Sequence, residues 1–299
     1  MKNKKKIIGL VLFGIAATVT LSSYKVDLLP KSLKDDANGL EMEKKGKLIL
    51  KQAWNEHGVD SMLSHKVYSY TGVDNWVGMM GKMGKLWPDA KIKLKLKSVV
   101  GTFDSKVEFL DGKEEGNKAG LQAWKYYEEP KDSLASFDVK LNKRHQFGLA
   151  AFQYFNEMVG RLSSAPIIRY AGEETFNETE YDLVFATWET LKATKKNDQY
   201  VLYINKKTHR LDYVIYTIRD NYLKMPGASF FYGSMSFTNY TRVNGALIPF
   251  QQSAFMNKMK ADNEGYLHQI NIDKFEFDTF DAKELYPNKT LGSLGDSKN

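Results

Sequence analysis

The period of the apolar pattern changes once, after Pro166, and that change limits the fold more than any other feature. From Ile167 onward apolar residues recur at every second position. The runs are Ile167–Tyr170, Tyr181–Trp188, Gln199–Asn205, Leu211–Asp220, Ser229–Thr238, Ala246–Met256 and Leu267–Asp278. Alternation of this kind belongs to strands. No helix-length stretch separates the runs, so βαβ units are excluded and an antiparallel meander is expected. Asn205–His209 reads as a polar turn. Asn244-Gly245 reads as a hairpin turn, because both residues accept positive φ.

Upstream the period is helical. Asn142 to Leu162 is the strongest helix, with Asn142 as its cap and Pro166 after its end. Phe147, Leu149, Phe152, Phe155, Met158 and Leu162 belong to an apolar surface wider than one stripe, so this helix contacts more than a flat sheet. Leu48, Ile49, Ala53 and Trp54 predict a helix over 42–57, stopped near Gly58, and Val67–Thr71 reads as a strand. In 72–90, four glycines stand among Trp76, Met79, Met80, Met83 and Trp87. That stretch reads either as a loop over the core or as a soft-walled lid over an apolar site. Lys91–Lys97 alternates strictly, with Ile92, Leu94 and Leu96 on one face and four lysines on the other. The lysine face reads as a solvated or edge face, with contact to anionic headgroups as the alternative.

Several strands carry apolar residues on both faces. Tyr213 and Ile215 oppose Val214 and Tyr216, and Phe230 and Tyr232 oppose Phe231 and Phe237. A sheet with one wet face alternates more cleanly. The expected fold is therefore α+β: a strongly curved antiparallel sheet, a half-open barrel, with helices covering its concave side. Its interior is read as either a filled core or a ligand cavity.

Composition removes several kinds of chemistry. The 299 residues contain no cysteine, so disulfides, thiolate metal sites, thiol nucleophiles and cysteine-borne lipid anchors are excluded. Lys2, Lys4, Lys5 and Lys6 precede the apolar run Ile7–Val19, the pattern of an export signal, too short for an ordinary spanning helix. Those four lysines supply more than half of the net charge of +7, which weakens any nucleic-acid reading. The expected organisation is a signal peptide or N-terminal anchor at 1–22, a flexible arm at 23–41, one domain at 42–285 and a tail at 286–299. The expected location is the periplasm, with inner-membrane anchoring as the alternative.

No nucleophile elbow, phosphate loop or dinucleotide fingerprint occurs, and His57, His65, His145, His209 and His268 lack metal-ligand spacing. No cofactor or metal is expected, and a carboxylate-pair hydrolase keeps low weight. Arg219, in an otherwise apolar strand, needs an acidic or backbone partner. Asp182 and Asp212 are the partners considered, in a structural ion pair or a headgroup contact.

Tyr181–Phe185, then Asp198–Thr208 with its Ile204-x-x-x-Thr208 hairpin, then Leu211–Arg219 resemble the LolA-like outer-membrane lipoprotein-sorting superfamily. The resemblance is clearest over about 165–280, and the amphipathic segment before Trp54 resembles the family's opening helix. It implies a half-open barrel closed by helices, with a cavity for acyl chains and no enzyme chemistry. It also implies that Phe147, Phe152, Phe155, Trp188, Tyr203, Tyr216 and Phe231 line the cavity. Arg219 matches the arginine that holds the lid of classical carriers. The long region 72–130 departs from those compact proteins. The expected function is an exported carrier or sensor for a lipid, lipoprotein acyl chain or other elongated apolar ligand. It would touch a membrane or another envelope protein transiently. A non-catalytic scaffold with a filled core is the alternative.

Overall fold

The alternating runs become strands in a computed structural model that describes residues 26–35, 37–219, 232–257 and 265–292. The first group is β1 (Val67–Trp76), β2 (Lys91–Val99), β3 (Ser105–Phe109), β4 (Lys118–Gln122) and β5 (Lys125–Glu129). The second is β6 (Ile167–Phe176), β7 (Thr179–Thr187), β8 (Gln199–Asn205), β9 (Leu211–Tyr216), β10 (Gly233–Val243), β11 (Ala246–Met256) and β12 (His268–Phe277). Among the described residues five α-helices accompany them: α1 (Gly39–His57), α2 (Val59–Ser64), α3 (Gly78–Gly84), α4 (Lys143–Asn156) and α5 (Met158–Ser163).

All twelve strands form one antiparallel sheet in the order β5-β4-β3-β2-β1-β12-β11-β10-β9-β8-β7-β6. Two meanders are thus joined by the pairing of β1 with β12, where Tyr70 opposes Phe275. The β10–β11 hairpin turns on Asn244 and Gly245 at φ 45° and 87°, the doubly positive geometry that this pair favours. Gly58 ends α1 at φ 59° and lies against that hairpin; a Cβ there would fall 2.1 Å from the Gly245 carbonyl oxygen.

The half-open barrel expected from the sequence does not form. β5 and β6 stand at opposite ends of the strand order and do not pair, so the sheet is open and not strongly curled. The two-sided apolar pattern has another cause. On one face of β6–β10, Val184, Leu202, Val214 and Met235 pack against Ile49, Leu50 and Ala53 of α1 and Val159 and Leu162 of α5. On the other face, Phe185, Tyr203, Tyr213 and Ile215 pack with Leu33 and, at their margin, Leu28 and Leu29. Both faces are covered by chain, which removes the need for closure. The lysine strand behaves differently: Ile92, Leu94 and Leu96 enter the core, and Lys93 pairs with Asp273 at 3.7 Å on the outer face.

The long helix read over 142–162 is broken at Glu157. Glu157 accepts from Arg161 at 2.7 Å, from Gln153 at 3.1 Å and from the Gly101 backbone N–H at 3.2 Å. Arg161 also donates to the Thr102 carbonyl at 2.6 Å, and its guanidinium stands over the Phe103 ring at 4.1 Å. This buried pair fixes the β2–β3 turn against the helical layer. Burial pushes the Glu157 carboxyl up, and Arg161 opposes that shift.

Candidate functional site: a two-lobed apolar cleft

α4 begins where the Asn142 side chain accepts from the N–H groups of Arg144 and His145, which caps the helix. Its buried face carries Leu149 and Phe152, packed on the β1–β4 core. Each such side chain contributes about 1.5–3 kcal/mol through burial. The adjoining face carries Phe147, Ala150, Ala151, Tyr154 and Phe155, all half-buried. That face does not close on the sheet; it forms the wall of a cleft.

The cleft has two lobes. One, of about 200 Å³, lies among Trp76, Met80, Met83, Phe152, Met235 and His268. The other, of about 260 Å³, lies among Phe103, Trp124, Tyr154, Asp198, Tyr200 and Thr217. Phe147, Ala151, Phe155, Tyr216 and Ile218 border both. The second lobe is a ladder of rings. Phe103 lies 4.8 Å from Trp124, Tyr154 stacks on Tyr200 at 6.0 Å, and Tyr200 stacks on Tyr216 at 6.2 Å. Rings offer large apolar area at little entropic cost, which suits an adaptable apolar guest.

One polar fixture borders the first lobe. Asp74, fully buried, accepts from the Trp76 indole at 2.7 Å and is hydrogen-bonded to His268 Nε2. Trp76 stacks on the His268 ring at 4.2 Å. An acid–imidazole pair supplies two of the three members of a nucleophile-activating triad, but among the described residues no hydroxyl hydrogen-bonds to His268. Among the described residues no three His, Asp or Glu side chains gather to hold a metal. His57 and His145 are held neutral by burial, with pKa values pushed down to about 3 and about 4. His57 Nε2 accepts from the Leu211 N–H at 3.0 Å, a structural use of the ring.

The residues singled out in the sequence divide by location. Phe147, Phe152, Phe155 and Tyr216 meet on the cleft, and Trp76, Met80 and Met83 join them on the first lobe. Trp188 stands beside it, edge-on to Tyr200 at 6.0 Å. Tyr203 lies on the opposite face of the sheet and donates to Glu174 at 3.0 Å. Trp87 is buried beneath α4, where Gly148 leaves room for its ring. Met79 is exposed on α3. Phe231 and the segment 1–22 lie outside the described residues. Arg219 donates through its guanidinium to the Val26 carbonyl, and its backbone N–H donates to Asp198 at 2.8 Å. Asp212 accepts instead from Asn205 at 2.9 Å and Tyr181 at 3.4 Å. Asp182 stands opposite Glu173 and Ile204 in its ladder.

Phe103, Trp124, Tyr154 and Tyr200 are lining residues that the sequence did not single out. Trp124 forms a two-residue turn with Ala123, and both have positive φ, 62° at Trp124 and 50° at Ala123. That conformation is costly for a bulky side chain.

No protein-family model matches the sequence, and no curated protein matches it. Solved structures do match in fold. A DUF1329 family protein from Desulfovibrio piger aligns with a TM-score of 0.50 at 14% identity, over 83% of this chain and 98% of that one. An outer-membrane lipoprotein-sorting protein domain from Vibrio parahaemolyticus, so described putatively, aligns at 0.49 and 13% identity, over 81% and 97%. A LolA superfamily protein from Nitrosomonas europaea aligns at 0.48 and 10% identity, over 82% and 98%. The match is distant. It is a likeness of fold, and the cleft of this chain is described by its own residues.

Proposed function

We propose that the chain is an exported, non-catalytic carrier or sensor that seats an elongated apolar ligand, an acyl chain above all, in the two-lobed cleft. One observation carries the reading: Phe147, Ala151, Phe155, Tyr216 and Ile218 border both lobes, which sets two apolar volumes side by side on one wall. The drive is desolvation, roughly 0.8 kcal/mol for each CH₂ taken from water. About 14 such groups offset the several kcal/mol needed to order a ligand. The lysine head and apolar run at Ile7–Val19 support export, and the periplasm is the location proposed. The distant likeness in fold is consistent with a binding protein and names no ligand. Titration with a fluorescent fatty-acid probe tests the reading. Saturable binding that unlabelled fatty acid displaces is expected; no saturable binding of any acyl probe would overturn it.

A further inference from the structure

α3 leaves Met79, Met80 and Met83 exposed by 76, 39 and 53%. Three methionines on one seven-residue helix form an apolar surface patch, the kind that marks an interaction site. The patch is fixed in place. A Cβ on Gly81 would lie 2.5 Å from the Leu267 carbonyl oxygen, so α3 rests directly on that backbone. Val77 N–H donates to the same oxygen at 3.0 Å, and Arg144 donates to the Met83 carbonyl at 3.0 Å.

Two features say what covers it. Met80 and Met83 also line the first lobe, so the exposed patch runs without a break into the cavity wall. The surroundings are basic: Lys82, Lys85 and Arg144 border one shallow cleft beside α3, with Glu114 as its acid. Burial pushes the Glu114 carboxyl up, with Glu128 and Asp89 adding to the shift. An apolar tip with cations along one side fits a surface that is apolar a few ångströms below a layer of negative charge. We infer that α3 docks the protein on an anionic lipid bilayer, with Met79, Met80 and Met83 entering the acyl boundary and Lys82 among the headgroups. This goes beyond the carrier reading, because docking requires no bound ligand.

The absence of cysteine makes the test clean. Met79→Cys and Leu48→Cys, each in the full chain, accept one environment-sensitive dye. Leu48 is 61% exposed and lies on α1. Vesicles of three parts phosphatidylcholine to one part phosphatidylglycerol serve as the probe. The dye at position 79 is expected to shift to the blue, and the dye at position 48 to stay in water. Pure phosphatidylcholine or 0.5 M salt should weaken the response. Lys82→Gln, in the Met79→Cys chain, should lower partitioning about fivefold, the equivalent of ~1 kcal/mol for one basic residue at such a surface. A water-exposed dye at 79, or equal shifts at 79 and 48, would overturn the inference, the latter by assigning binding to another segment. A blue shift at 79 that grows with protein concentration without vesicles would overturn it in favour of a second copy. Fatty-acid titration of the same labelled chains keeps this result separate from the fate of the carrier reading.

Discussion

Phe155 on α4 and Tyr216 at the end of β9 face each other with ring centroids 5.7 Å apart, and both lobes of the cleft meet at this pair. Phe155 and Tyr216 also pack at the margin of the core built on β6–β10, whereas Leu149 and Phe152 of the same helix pack on β1–β4. The cleft is therefore the seam between two cores. Its rings remain half-buried because neither core closes over them.

Trp124 ties the cleft to backbone strain. Trp124→Gly removes a ring from the second lobe and places a residue at φ 62° that has no steric objection to it. Relief of the strain and loss of the ring's packing on the core oppose each other, so stability should change by less than about 2 kcal/mol, while affinity for an acyl probe falls several-fold. Urea unfolding and probe titration measure the two effects separately. A large loss of stability with unchanged binding would make Trp124 a core residue only.

Leu33 tests what covers the second face of the sheet. It is buried in the cluster with Phe185 and Tyr203. Leu33→Ala should cost about 2–4 kcal/mol, read as a lower urea midpoint. Leu134→Ala, at a side chain 92% exposed, should change stability by less than about 0.5 kcal/mol. Equal effects of the two changes would contradict the packing described.

The seven strands from Ile167 onward, with β2 and part of β1, were legible because alternation survives in single sequences; β3, β4 and β5, at five residues each, were too short to show it. Closure was not legible. Apolar residues on both faces are equally expected of a curled sheet with a filled interior and of an open sheet covered on both sides. Here the second cover comes from Leu28, Leu29 and Leu33, too few and too irregularly spaced to show a period. The break at Glu157 was hidden because apolar residues continue through it to Leu162. The break becomes plain only when Arg161 and Gly101 are seen to meet that carboxylate. Half of the cleft was readable from α4, whose wide apolar surface needed a second contact. Phe103 and Trp124 stand in turns, where neighbouring residues give no hint of what they face.

Acid should destabilise the fold through its buried imidazoles. His57 has a folded pKa near 3 and His145 one near 4, both below the ordinary 6.5. Their contribution is complete above 6.5 and is lost as pH falls toward those folded values, because the unfolded chain then binds the extra protons. The slope is up to about 1.4 kcal/mol per pH unit for each group. Burial raises Glu157 and Asp212, whose contributions run in the opposite sense. Urea midpoints between pH 7 and 5 should fall, and His57→Gln should flatten the decline by one proton's worth. An unchanged slope in that variant would show that His57 protonates without penalty.

Ala151 borders both lobes, so a bulky side chain there obstructs them together. Native mass spectrometry of the gently purified protein, paired with solvent extraction, should show an apolar ligand bound to the unaltered chain. Ala151→Trp should weaken that binding by about two orders of magnitude, the loss of roughly four CH₂ contacts at ~0.8 kcal/mol each. The urea midpoint should change little. A ligand-free unaltered protein that also ignores added acyl chains, or a ligand retained at full occupancy in the Ala151→Trp protein, would contradict the account.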